Sequence, residues 1–533
     1  MRRGLWGLAA VVVVASACTA TPEPEPAPSP SPAASVSQPV LPATPGVPTR
    51  PVAEHRAAPL PGVDSPDRQL MAGEASGLPA VPGEGLEAYW EQELVWRDCA
   101  PAQCATMLVP LDWEEPSRAA LEIAVTRMPS RLGAFGPIFF NPGGPGLAAG
   151  PMVREFGPDL FPGFDLVGWD PRGVGESTSV RCAPEALAAA HGADSSPDDE
   201  VEVAALGRAW REVAVSCREL SGVLLDHVST LEVARDLDLL RHLFKVPRAS
   251  YLGISYGSLL GATYAELFPE RVGRMVLDGA VEVSGEHPLV GLAGLEEALH
   301  HFAQWCGAET SCGLGAGGPQ VLGVVEELLQ RLDGQPLAVG EQVLTQGLAA
   351  RGVVGHLYWG ERNHPSLAED LARAIDGDGA GLLRAAELVT AQDDGTGAGA
   401  AALLGVICGD RPDRGFEAVL AEGEEALVKA PILAASLGVP PMCEFWTAPA
   451  EPPLELRADG APPILVIGRT GDAVTPYRNA VRLSERLASG RLLTVEGLGH
   501  VSLNRDDPCV TQAVARYLTL GLAPEGGASC PPR

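Results

Sequence analysis

The 533-residue chain reads as an α/β protein, a mostly parallel sheet with helices on both faces and an inserted helical cap. Three observations predict this. Short apolar runs such as residues 137–140 and 463–468 alternate with amphipathic stretches such as 231–244. A Gly-x-Ser-x-Gly turn joins one such run to a helical pattern. From residue 283 to 453 the strand–helix beat stops, and helical patterns such as 321–332 and 367–375 take over.

The elements follow in chain order. Arg2 and Arg3 precede a short apolar run, residues 5–14, which falls well below the ~20 residues that span a bilayer. Residues 1–17 are therefore expected to be an export signal. Ala15-Ser16-Ala17-Cys18 resembles the lipobox of bacterial lipoproteins, which makes Cys18 the lipidation site and gives the protein a membrane anchor. The lipobox leucine is replaced by Ala15, and a plain secretory signal cut after Ala17 is the other reading. Residues 18–85 are rich in Pro, Ala and Ser in their first part and read as an extended tether.

The first part of the sheet domain is expected over residues 86–282. Runs 108–113 and 121–125 form a hairpin broken by Glu115-Pro116. Strands follow at 137–140, 164–168, 249–252 and 274–277, with helices at 231–244 and 258–268. The cap is expected over 283–453. The sheet resumes over 454–533, with strands at 463–468 and 492–495 and helices near 477–487 and 508–520.

Composition narrows the function. There are 38 basic and 68 acidic residues, a formal net charge of −30, so phosphate backbones would be repelled and nucleic acid is excluded as a partner. A cationic group, such as a free peptide amine, is not repelled. Setting Cys18 aside, ten of the 11 cysteines fall into neighbour pairs: Cys99/Cys104, Cys182/Cys217, Cys306/Cys312, Cys408/Cys443 and Cys509/Cys530. An oxidising compartment would let these close as disulfides, which agrees with export. No Cys-x-x-Cys occurs, and no histidine pair stands at ligand spacing beside the cysteines, so no metal site is expected.

The chemistry-bearing motif is Gly253-Ile254-Ser255-Tyr256-Gly257, with a strand before it and a helix after it. A nucleophile on so tight a turn needs neighbours without side chains. Serine also needs a base. His500, in Gly497-Leu-Gly-His500, follows the last long strand and is the candidate. A carboxylate must orient that imidazole. Asp472, at the end of the preceding strand, is the expected acid, and Asp278, ending an earlier strand, is its rival. The oxyanion requires two backbone N–H donors. Tyr256 is expected to supply one, and Gly144 the other, with Gly143 as alternative, from the loop Asn141-Pro-Gly-Gly-Pro-Gly146.

Jointly these motifs resemble the α/β-hydrolase clan of the proline iminopeptidases. Pro142-Gly-Gly-Pro-Gly146 is similar to their His-Gly-Gly-Pro-Gly loop, and Trp169-Asp-Pro-Arg-Gly-Val-Gly-Glu-Ser177 to their D-x-R-G-x-G-x-S segment. The elbow, Gly471-Asp-Ala-Val-Thr-Pro476 and Gly499-His500 resemble the exported tripeptidyl aminopeptidase branch of actinobacteria. Pro142 stands where iminopeptidases carry histidine, which favours that branch. The resemblance covers residue 90 to the C-terminus and implies an α/β-hydrolase fold and a serine exopeptidase that releases short peptides, tripeptides in that branch, from free N-termini. It implies peptide as partner and no cofactor. An anionic pocket must then hold the substrate ammonium at a fixed distance from Ser255. Asp410, in Ile407-Cys-Gly-Asp410, is the candidate, with Glu444 beside Cys443 as second. Asp170 and Arg172 are expected to brace the neighbouring loop. An exported esterase on the same triad is the alternative, since a fold hosts many reactions. A peptide-binding lipoprotein without catalysis is the third reading.

Overall fold

The computed structural model describes residues 78–532, apart from residues 134, 157–159, 282–288, 391–396, 412–413, 453 and 504–506. The expected signal, Cys18 and most of the tether lie outside the described residues. The strands are β1 (Arg97–Cys99), β2 (Ala102–Pro110), β3 (Ala120–Met128), β4 (Pro137–Asn141), β5 (Asp165–Trp169), β6 (Ala249–Ile254), β7 (Val272–Asp278), β8 (Leu337–Val339), β9 (Gln342–Leu344), β10 (Ile464–Gly471), β11 (Gly490–Leu498) and β12 (Ser529–Cys530).

Ten of them form one sheet in the order β1-β2-β3-β5-β4-β6-β7-β10-β11-β12. The β1–β2–β3–β5 edge is antiparallel, and from β5 through β12 the pairing is parallel. The central parallel strands are mostly apolar along their middle residues because both faces are covered. Alternate residues point to opposite sides. Phe139, Val167, Tyr251, Leu277 and Val466 enter one core, while Ile138, Phe140, Leu252, Val276 and Ile467 enter another. This is the α/β-hydrolase architecture, with helices on both faces.

β7 and β10 are neighbours in the sheet, with Met275 opposite Ile464 and Asp278 opposite Ile467, although the whole insertion lies between them in sequence. Much of the described insertion is helical, and the antiparallel hairpin β8–β9 is an addition the periodicity did not suggest. Most of its helices share a core of their own, around Phe302, Val325, Leu328 and Val353. The helix Ala398–Asp410 differs. Its Ala401, Leu404 and Val406 pack into the core of the sheet domain, which gives it a foot in the frame that carries the site. The helices Pro184–Gly192 and Glu200–Ser221 were also not foreseen. The second opens on Asp199, whose carboxylate accepts from the Val201 and Glu202 N–H groups at 2.8 and 2.9 Å.

Ten cysteines close the five neighbour pairs, Cys99–Cys104, Cys182–Cys217, Cys306–Cys312, Cys408–Cys443 and Cys509–Cys530. Among the described residues no helix is long and apolar enough to cross a membrane.

Candidate active site

The site is built where β6 ends. Ser255 follows directly, at φ +55° and ψ −119°, and the helix Tyr256–Leu267 starts at the next residue. For a residue with a Cβ this is strained backbone, held only where the surroundings over-determine it. Here they do. The Ser255 N–H donates to the Asp278 carbonyl at 2.8 Å, and the Ser258 N–H and hydroxyl both donate back to the Ser255 carbonyl, at 2.7 and 2.6 Å. The flanking glycines are required by contact. A Cβ on Gly253 would sit 2.1 Å from the Gly257 carbonyl oxygen, and one on Gly257 would sit 2.7 Å from the Asn141 carbonyl oxygen.

The loop after β4 lies against this turn. A Cβ on Gly143 would meet the Ile254 carbonyl oxygen at 2.5 Å and Ser255 Cβ at 3.1 Å, and Gly143 and Gly144 stand at φ +96° and +104°, where only glycine is at ease. The Gly143 N–H is committed to Asn141 Oδ1 at 3.0 Å. The Gly144 and Tyr256 N–H groups donate to no described residue. Of the two glycines weighed from sequence, Gly144 is thus the one with an N–H to spare. Asp170 and Arg172 brace the surroundings. Asp170 accepts from the Ala149 and Glu176 N–H groups at 2.8 and 2.9 Å, while Arg172 is fully buried between Asp236 and Glu232, each at 2.7 Å.

His500 and Asp472 meet at the ends of β10 and β11. His500 Nδ1 lies 3.0 Å from both carboxylate oxygens. Asp472 also accepts from the Val474, Thr475 and Val501 N–H groups and from the Thr475 hydroxyl, at 2.8–3.2 Å. These donors fix the orientation of the carboxylate beside the imidazole. Nε2 of His500 is buried with no hydrogen-bond partner among the described residues. It is the atom that would accept the serine proton.

The rival acid is engaged elsewhere. Asp278 accepts from the Ser502 and Leu503 N–H groups at 2.9 and 2.6 Å and carries no bond to His500. Burial chiefly, with Asp472 nearby, pushes its carboxyl up to about 6. It anchors the chain just past the histidine.

Asp410 closes the helix Ala398–Asp410 and is linked to the elbow. The Tyr256 hydroxyl lies 2.7 Å from Thr230 Oγ1, and the Thr230 hydroxyl donates to Asp410 Oδ2 at 2.5 Å. The Thr230 N–H donates to Oδ1 at 2.7 Å. Burial pushes the Asp410 carboxyl up to about 6 against these bonds. Glu444 is buried, with one oxygen accepting from the Cys443 N–H at 3.2 Å. The Cys408–Cys443 bridge ties together the two segments that bear these carboxylates.

Sequence reasoning missed Tyr358. It stands in the insertion, yet its hydroxyl lies near enough to Ser255 to feel that side chain, and its ring packs edge-on against the His500 imidazole, centroids 4.7 Å apart. Its carbonyl accepts from the His500 N–H at 2.9 Å. Burial raises its hydroxyl well above the ordinary range, so it stays a donor. No motif marks it, because it lies in sequence far from both partners. Tyr358→Phe keeps the ring and removes the hydroxyl beside Ser255. We expect kcat/KM to fall roughly three- to tenfold, the worth of one neutral hydrogen bond, with an unchanged thermal midpoint. An unchanged rate of fluorophosphonate labelling at Ser255 would refute that role.

A family model described as alpha/beta hydrolase fold matches residues 136–313, and one described as TAP-like protein matches residues 431–530. The serine protease Hip1 of Mycobacterium tuberculosis is 31% identical over 463 residues, 80% of this chain and 87% of that protein. Carboxylesterase B of Mycobacterium tuberculosis is 32% identical, over 86% of this chain and 92% of its own length. The tripeptidyl aminopeptidase of Streptomyces lividans is 29% identical, over 82% and 86%. With a strained serine at the end of a central strand and relatives matched over most of their length, the chain belongs to the α/β-hydrolase family that includes these mycobacterial relatives.

Proposed function

We propose that this protein is an exported serine exopeptidase that releases short peptides, tripeptides in the leading reading, from free N-termini. The carrying observation is the strained Ser255 beside a His500–Asp472 couple whose Nε2 is unpartnered, with two unused N–H groups at Gly144 and Tyr256. His500 takes the Ser255 proton as Oγ attacks the scissile carbonyl, and Asp472 stabilises the imidazolium. The Gly144 and Tyr256 N–H groups receive the oxyanion. His500 then protonates the leaving amine, and water hydrolyses the acyl-enzyme by the same route. The printed names of the protease and tripeptidyl aminopeptidase relatives support peptide as substrate. Five disulfides support export, and Cys18 is proposed as the lipid anchor.

Asp410 is proposed to hold the substrate ammonium, with Glu444 as second carboxylate. Asp410 titrates near 6, so it is anionic above that pH and neutral below it. A peptide amine stays cationic up to about pH 8. KM for free-amine substrates should therefore rise by up to about tenfold per pH unit below 6, while kcat is less affected. A flat KM between pH 5 and 7 would remove Asp410 from the role.

The test is a matched set of mono-, di- and tripeptidyl nitroanilides, with free and acetylated N-termini, together with short-chain nitrophenyl esters. Cleavage confined to free-amine peptides supports the exopeptidase and reads off the number of residues released. Turnover of esters alone, or indifference to acetylation, refutes it. That second outcome is the esterase reading, which the 32% identical carboxylesterase relative keeps in play.

A further inference from the structure

A cavity of about 260 Å³ lies under the insertion, walled by Leu295, Val354, Leu403, Leu437 and other apolar side chains. Three of its walls continue into the candidate site. Leu403 presents its backbone nitrogen to Gly146 of the loop after β4, where a Cβ would approach it to 2.8 Å. Leu295 follows Gly294, on which a Cβ would meet the Ala473 carbonyl oxygen at 2.8 Å, next to Asp472. Val354 accepts, through its carbonyl, the N–H of Tyr358 at 3.0 Å.

Two polar residues that line this cavity, Arg351 and Trp210, bring N–H donors to it. Arg351 donates to the His191 carbonyl and to Ser195 Oγ, both at 3.2 Å, and has no carboxylate partner among the described residues. In a chain with 68 acidic residues, that is a conspicuous vacancy of charge. Burial without a counter-ion pulls its guanidinium down to about 10. Trp210 is almost fully buried, and its indole Nε1 has no partner among the described residues. Nδ1 of His191, whose ring packs edge-on against Trp210, is also unpartnered. A buried donor without an acceptor costs stability unless a ligand supplies one.

The helix Ala398–Asp410 joins this cavity to the proposed amine pocket. Leu403 lines the cavity, and Asp410 lies seven residues on, about 10 Å at 1.5 Å per residue. A zwitterionic peptide has its charges in the same order, ammonium at one end and carboxylate at the other. An extended residue spans about 3.3 Å, so a few residues cover the gap.

We propose that the cavity receives an apolar C-terminal residue of a short free peptide, with its carboxylate held by Arg351 and the Trp210 indole N–H. The preferred substrates are then short oligopeptides with an apolar C-terminal residue and a free carboxylate. This rests on the exopeptidase reading above, but its test does not need turnover.

The peptides Ala-Ala-Ala-Leu and Ala-Ala-Ala-Ala-Leu, each as free acid and as C-terminal amide, are titrated calorimetrically into the Ser255→Ala protein. The free acids are expected to bind roughly tenfold or more tightly than the amides, the worth of one charge-assisted hydrogen bond. Adding Arg351→Met should abolish that difference and leave the amide affinity in place. Acid and amide binding alike, or an acid preference that survives Arg351→Met, overturns the proposal. Should that variant fail to fold by circular dichroism, Leu403→Trp fills the cavity and leaves the guanidinium. It should abolish the acid preference, and persistence of that preference is equally fatal. N-acetylated versions probe the amine pocket separately. A native protein that binds the acids selectively yet cleaves none of them refutes the exopeptidase and leaves the cavity assigned.

Discussion

Ser255→Ala is expected to lower kcat/KM by about 10⁵, equivalent to about 7 kcal/mol of transition-state stabilisation. The loss is so large because serine attack and proton transfer to His500 act as a unit, and removing the nucleophile removes both. What survives is the background that backbone donors and substrate binding give to a water reaction. The alanine variant should bind substrate with little change, since Ser255 Oγ contributes nothing to holding the peptide ends. Its fold should be intact, because the turn is held by the Ser255 backbone bonds to Asp278 and Ser258 and by the glycine contacts. Single-turnover rates and labelling by a fluorophosphonate decide the matter. Residual activity above about 1% would mean that another residue is the nucleophile.

The second large effect separates two buried aspartates. Asp472→Asn should reduce kcat by about 10⁴, because an amide in that position cannot stabilise the imidazolium and favours the wrong tautomer of His500. Asp278→Asn should change kcat far less and stability more. Its carboxylate receives N–H donors from Ser502 and Leu503, and an amide turns one acceptor into a donor facing them. The cost is about 1–3 kcal/mol of unfolding free energy, read as a lower thermal midpoint. A loss of kcat in Asp278→Asn as deep as in Asp472→Asn would reverse the assignment.

The central sheet was legible in the sequence because its strands are covered on both faces and so read as short apolar runs, as over residues 464–468 at the start of β10. The turn around Ser255 was legible for a different reason. Its glycines answer to local contacts between Gly253, Gly257 and Asn141, and local constraints leave local signatures. Sequence favoured Asp472 over Asp278 although both follow a central strand, and in the structure residues 500–503 set Asp472 against His500 Nδ1 and Asp278 against the Leu503 N–H. Tyr358, Thr230 and Arg351 carried no signal at all. Each meets the site through tertiary contacts made by a helix or its end, and an isolated Tyr, Thr or Arg in such a place looks like any other. The hairpin β8–β9 escaped because three-residue strands are too short to show a period.

The contact between Tyr358 and His500 ties the fate of the two layers. The backbone of residues 358–360 supports the histidine loop directly, through the bond from the His500 N–H and through Gly360, where a Cβ would crowd the Leu498 carbonyl oxygen at 2.7 Å. The insertion is therefore part of the scaffold that holds His500. Grafting a different cap between β7 and β10 to alter substrate choice would leave the His500 loop without its support unless the donor segment rebuilt this one ledge.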